Sequence, residues 1–189
     1  MRIEEANTPL AAIADRIDRL IAAIGRAVMW LCLFLVLTQF SVVLMRYAFG
    51  IGSIWLSESI LYAHAALFLL AAAWTLQQDR HVRVDVFYSR ASPRTKAIID
   101  LLGALILLLP FMAVILFFAL PYAARSWAIL ERSRETSGLP FVYLLKTLIP
   151  LFALLMGLQG ISQAMRAAQL LKAASPAAGG PAGRGDAAS

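Results

Sequence analysis

Four stretches of this chain go almost without charge for long enough to cross a lipid bilayer. Ala27 to Met45, Ser59 to Gln78 and Leu101 to Ala124 contain no Asp, Glu, Lys or Arg. The fourth, Leu139 to Met165, contains only Lys146. A helix rises about 1.5 Å per residue, so roughly 20 apolar residues cover about 30 Å of hydrocarbon. The pattern predicts an all-α membrane protein with four transmembrane helices, near 27–45, 59–78, 101–124 and 139–165. Composition agrees. Of the 189 residues, 61% are apolar and 15% charged, against about 45–50% and about 25% in soluble domains. A soluble globule of this size cannot bury so much apolar surface, and disorder is excluded over most of the chain.

The net charge of +6 is read against these runs, because Lys and Arg set membrane orientation. Arg2, Arg16, Arg19, Arg26, Arg80, Arg83, Arg90, Arg94, Lys96, Arg166, Lys172 and Arg184 fall on one side. Only Arg46, Arg125, Arg132 and Arg134 fall on the other, with Lys146 intramembrane or interfacial. Twelve against four puts both termini in the cytoplasm. The basic second loop then orients the protein and touches anionic lipid; nucleic acid is not expected as a partner. Acidic Glu4, Glu5, Asp15 and Asp18 before the first run argue against a cleaved signal and for a retained anchor.

Residues 1–26 form a cytoplasmic segment, 27–172 the transmembrane domain and 173–189 an Ala/Gly/Pro-rich disordered tail. Within the first segment Thr8-Pro9 can start a helix. Leu10, Ile13, Ile17, Leu20, Ile21 and Ile24 recur at helical spacing, opposite Asp15, Arg16, Asp18, Arg19 and Arg26. This N-terminal amphipathic helix is expected at the cytoplasmic interface. Docking of its apolar face on a partner, or simple extension of the first span with Gly25 as a weak point, are the other two placements.

Little in the chain suggests chemistry of its own. The single cysteine, Cys32, excludes an intramolecular disulfide, a redox pair and a thiolate zinc site. His64 and His81 are roughly 25 Å apart along one helix and cannot share a haem. No Asp or Glu lies deep in a span, as an ion-coupled carrier usually needs. Gln39, Ser41, His64, Thr75 and Gln159 are too few and scattered to line a pore. Arg46 and Glu58 bracket the first outer loop and suit an ion pair that closes the hairpin. Trp55 and Tyr62 flank Glu58 as belt aromatics. Lys146 either sits at the outer interface or pairs with Glu58 or a partner's carboxylate. Ala153/Gly157 and Gly160/Ala164/Ala168 offer small faces for close helix contact.

Three polar stretches resemble a known family. They are Arg46-Tyr47 with Ser53-Ile54-Trp55-Leu56-Ser57-Glu58 and Tyr62; His81-Val82-Arg83-Val84-Asp85; and Glu131-Arg132-Ser133-Arg134-Glu135 with Gly138-Leu139-Pro140, Leu145-Lys146, Ile149-Pro150 and Gln159. In this order across four helices they are similar to the small membrane subunit, DctQ-like, of tripartite ATP-independent periplasmic (TRAP) transporters. Ala71-Ala72-Ala73 departs from a glycine frequent there. The resemblance implies a bacterial inner-membrane subunit, not an enzyme and without cofactors. It would hold a large polytopic permease subunit, which carries solute and sodium, and help dock a periplasmic solute-binding protein. Arg46, Trp55, Glu58, Tyr62, His81, Asp85, Glu131 and Lys146 become candidate structural or subunit-interface residues. The competing readings are a self-contained homo-oligomeric four-helix channel or exporter, and a membrane redox anchor.

Overall fold

The computed structural model describes residues 9–79 and 91–173. They fold as helices: α1 (Pro9–Val28), α2 (Trp30–Phe49), α3 (Ile54–Gln77), α4 (Pro93–Leu102), α5 (Leu109–Ala128) and α6 (Val142–Ala173). A π-helical turn, Gly103–Leu108, joins α4 to α5. Four helical segments are long and apolar enough to cross a membrane: Pro9–Phe49, Ile54–Gln77, Pro93–Ala128 and Val142–Ala173.

The helix boundaries follow local chemistry more than hydropathy. Gly50 closes α2 in the left-handed region at φ 67°, its N–H bonded to the Met45 carbonyl, as expected of a C-terminal glycine cap. Ser53 starts α3 by accepting from the Leu56 N–H, so the helix begins ahead of the uncharged run and includes Glu58. Ser92 caps α4 through the Thr95 N–H, with Pro93 in the first turn. Pro110 has no N–H for the carbonyl four residues back and would press its ring on it. The helix widens just before it, and the Leu109 N–H reaches the Ala104 carbonyl.

The long α6 is the hub and packs against α1, α3, α4 and α5. Its inward face carries Ala153, Met156, Gln159, Gly160, Ser162, Ala164 and Ala167, mostly small residues. Those residues admit close neighbours; a Cβ on Gly160 would stand 2.8 Å from the Leu108 side chain. The core gathers Ile21, Ala73, Met112, Ala153, Leu155 and Met156, from α1, α3, α5 and α6. In contrast α2 packs against α3, with slight contact to α1, and Thr38 is its one buried residue.

The N-terminal helix has its own place in this bundle. Ala14, Ile21, Gly25 and Val28 are buried, on a stripe that faces α3 and α6. This stripe is turned away from the centre of the apolar face, so Leu10, Ile13 and Leu20 stay exposed. Asp18 falls on the packed side, not on the solvated face where its charge alone would put it. Only Met29 separates α1 from α2. Gly25 permits the contact with α3, since a Cβ there would overlap the Trp74 ring. Gly25→Ala is therefore expected to destabilise the bundle by about 1–3 kcal/mol through overpacking. Gly103→Ala, with nothing within 4 Å of the added carbon, is expected to change little. Thermal unfolding of the two variants in detergent checks this, and equal melting temperatures contradict it.

Candidate functional site

Polar side chains collect at the two ends of the bundle, named outer and inner after the orientation expected from the charge count. At the outer end the α5–α6 connection folds over the start of α3. Glu58 receives both a hydrogen bond from Ser133 Oγ and one from the Leu139 N–H at 2.5 Å. Gly138 makes room for this, because a Cβ there would stand 2.7 Å from Glu58 Oε1. Leu130 adopts a left-handed φ of 45° and turns Glu131 back toward α5, where its N–H bonds the Ser126 carbonyl at 3.0 Å. Glu131 Oε2 then accepts from Lys146 Nζ at 2.5 Å and from Ser126 Oγ at 2.7 Å. Lys146 Nζ also lies 4.3 Å from the centre of the Tyr122 ring, a favourable cation–π distance. Trp127 Nε1 donates to Thr147 Oγ1 at 2.8 Å and stacks edge-on with Tyr143. The Tyr62 hydroxyl is buried without a hydrogen-bond partner among the described residues.

At the inner end one residue, Asp18, joins three helices, its carboxylate binding α6 and its backbone carbonyl α3. Asp18 Oδ1 accepts from Ser162 Oγ at 2.7 Å and from Gln159 Nε2 at 3.2 Å. Its Oδ2 accepts from Arg166 Nε at 2.9 Å. The Arg166 fork also reaches Asp15 Oδ1 at 2.9 Å. Gln77 of α3 donates to the Asp18 carbonyl at 2.8 Å. A crevice of about 360 Å³ opens beside this knot toward Lys96, Asp100 and Gln163.

The sequence-derived candidates divide accordingly. Glu58, Glu131 and Lys146 meet at the outer end, together with Tyr62. The expected Arg46–Glu58 ion pair does not form, because both Glu58 oxygens are turned to the 133–139 loop. Arg46 instead lines a groove with Ser53, Ile54, Ser57, Glu58, Leu61 and Glu135. The Lys146 partner is Glu131, not Glu58. Trp55 is exposed. His81 and Asp85 lie outside the described residues. Sequence reasoning missed Asp18, Gln159, Ser162 and Arg166. The available signal was Gln159, Ser162 and Arg166 on one stripe of α6, with Asp18 the matching acid on α1.

The arrangement supplies no nucleophile–base pair, and among the described residues no three His, Cys, Asp or Glu side chains could hold a metal ion. The polar groups bind one another and fix helix positions. The model of the DctQ component of tripartite ATP-independent periplasmic transporters matches residues 35–170. The chain belongs to the DctQ family. No curated protein and no solved structure gives a significant match. The match covers α3 to α5, most of α2 and nearly all of α6, so both outer-end carboxylates and the α6 side of the inner knot lie within the DctQ region. Asp18 and the whole of its helix precede it. This is a membrane subunit of a transporter family, not of an enzyme family.

The outer knot has a pH signature. Hydrogen bonds from Lys146, and then from Ser126, hold the Glu131 carboxyl below the usual carboxylate range. A carboxyl depressed in the folded state stabilises above its unfolded pKa, and that contribution is lost as pH falls through the folded value. Glu131→Gln is expected to be less stable than wild type at pH 7. The gap is expected to close as pH drops below about 4. Denaturant unfolding in detergent between pH 7 and pH 3 measures it; a gap independent of pH contradicts the assignment.

Proposed function

We propose that this chain is the stationary small permease subunit of a TRAP importer in a bacterial inner membrane, with both termini in the cytoplasm. It scaffolds the large permease subunit, which carries solute and sodium, and its outer rim helps receive the periplasmic binding protein. The reading assigns no cofactor to this chain. The solute is an organic acid or a similar small molecule chosen by the other subunits.

The observation that carries this reading is the saturation of Glu58 by Ser133 and the Leu139 N–H. A carboxylate so held is a fastener, unsuited to binding and releasing an ion during a cycle. It ties the 129–141 connection to α3 and presents Arg132, Arg134 and Glu135 as exposed charges on a fixed rim. Family membership supplies the transporter context. At the other end the exposed Leu10, Ile13 and Leu20 of α1, next to Arg16 and Arg19, suit a helix lying along the cytoplasmic lipid surface. The pore reading weakens further, because Gln159 is bound to Asp18, Ser41 to the Leu37 carbonyl and Thr75 to the Ala72 carbonyl.

Purification of the tagged chain in mild detergent from cells that co-express the neighbouring permease and binding-protein genes tests the proposal. The expected result is a stable complex with the large subunit, and loss of sodium-driven uptake when this chain is deleted. Recovery only as a monomer or self-oligomer, with uptake unchanged by deletion, overturns it.

A further inference from the structure

We propose that the open groove between α2 and α3 seats one membrane-spanning helix of another chain. That helix carries a hydrogen-bonding side chain at mid-depth. Under the reading above, the helix belongs to the large permease subunit, and the inference rests on that reading.

Gln39 of α2 and His64 of α3 are both exposed. Gln39 stands ten residues before Phe49, and His64 ten residues after Ile54. Each therefore lies about 15 Å below the outer end of its helix, at the same depth and near the middle of the bilayer. Among the described residues neither side chain has a hydrogen-bond partner. The His64 ring lies beside Phe68, with ring centres 4.8 Å apart. An amide or imidazole facing hydrocarbon is costly, and 15 Å is too far for either to reach an interface. Polar groups so placed mark helix–helix contacts.

Both groups open on the same side. Arg46 of α2 shares a groove with Ile54, Ser57 and Leu61 of α3. Gln39 lies seven residues, two turns, below Arg46 and so on the same stripe. His64 and Phe68 continue the Leu61 stripe at three and seven residues. Leu61 and Phe68 are both exposed. The groove is polar at its outer end, where Arg46 stands with Glu58 and Glu135, and below it exposes Leu61 and Phe68 beside two polar groups at mid-depth. Arg46 forms no ion pair among the described residues. The opposite side of the bundle differs: α5 exposes Phe111, Val114, Phe117, Phe118 and Leu120, an unbroken apolar face that suits lipid. A second copy of this chain is the other occupant, and the cross-links below separate it from the large subunit.

Photo-reactive residues at positions 39, 64 and, as a control, 118, in the co-expressed complex test the inference. The expected result is cross-linking of the large subunit from 39 and 64 and not from 118. Gln39→Leu with His64→Leu is expected to lower the recovered large subunit about five- to tenfold per chain, from two lost interhelical hydrogen bonds. Normal membrane levels of the variant separate this from misfolding. Cross-links from 118 instead, cross-links only between copies of this chain, or undiminished recovery of the double variant each overturn the groove. Failure of the wild-type chain to bring down any large subunit overturns the functional reading itself.

Discussion

The Asp18 carboxylate determines how the bundle is put together. It is the one acid that enters the packed side of α1, with its side chain 17% exposed, and its two oxygens are shared among Ser162, Gln159 and Arg166 of α6. A carboxylate that leaves water this far must regain its hydrogen bonds from the protein. The three donors lie on one stripe of α6, so the demand of a single residue sets the rotation of α1 against α6. Gln77 then pins α3 to the same turn of α1. Ile21, Ala73 and Met156 close into a common core above it. Without this anchor, charges on α1 would favour solvent, and its buried stripe would have no fixed register.

The outer end repeats the principle with different residues. Glu58 and Glu131 are both consumed by local donors, so a rim of loop and helix ends is held on a frame whose interior is apolar. Together the two knots fasten α1, α3 and α6 at one end of the bundle and α3, α5 and α6 at the other. What remains loosely attached is α2, which leans on α3 and offers most of its surface outward. A transporter component built this way has one braced side and one side open to a neighbour, and the mid-depth Gln39 and His64 distinguish the open side from lipid-facing α5.

Much of this architecture was legible in the sequence, and for a clear reason. Uncharged runs of 19 residues or more report the bilayer directly, so the four spans were visible without any knowledge of packing. The ends of helices were less so, because Ser53 and the polar turns of α6 after Met165 extend helices through residues that hydropathy counts against them. Glu131 and Lys146 stood out as candidates, but not as each other's partner. Their meeting depends on the turn at Leu130, which leaves no periodic trace. Glu58 was matched with Arg46 by sequence proximity and depth, whereas the loop 75–81 residues away supplies its true donors. The inner knot was least legible. Asp18 and Ser162 are 144 residues apart, and a face rotation of α1 decides whether Asp18 meets water or α6. The DctQ resemblance, by contrast, rested on short polar stretches in the right order, and the family match over residues 35–170 bears it out.

The central claim is that this chain is a rigid frame, fastened at both ends, that stays still while a partner moves. Distance measurement between spin labels across the bundle tests it most directly. Labels at Ala12→Cys and Thr136→Cys, both exposed positions, in a Cys32→Ser background would report the separation of the inner and outer knots within the reconstituted complex. The account predicts one narrow distance distribution that is the same with and without sodium and solute. A second population, or a shift of several ångströms when both are added, would contradict it.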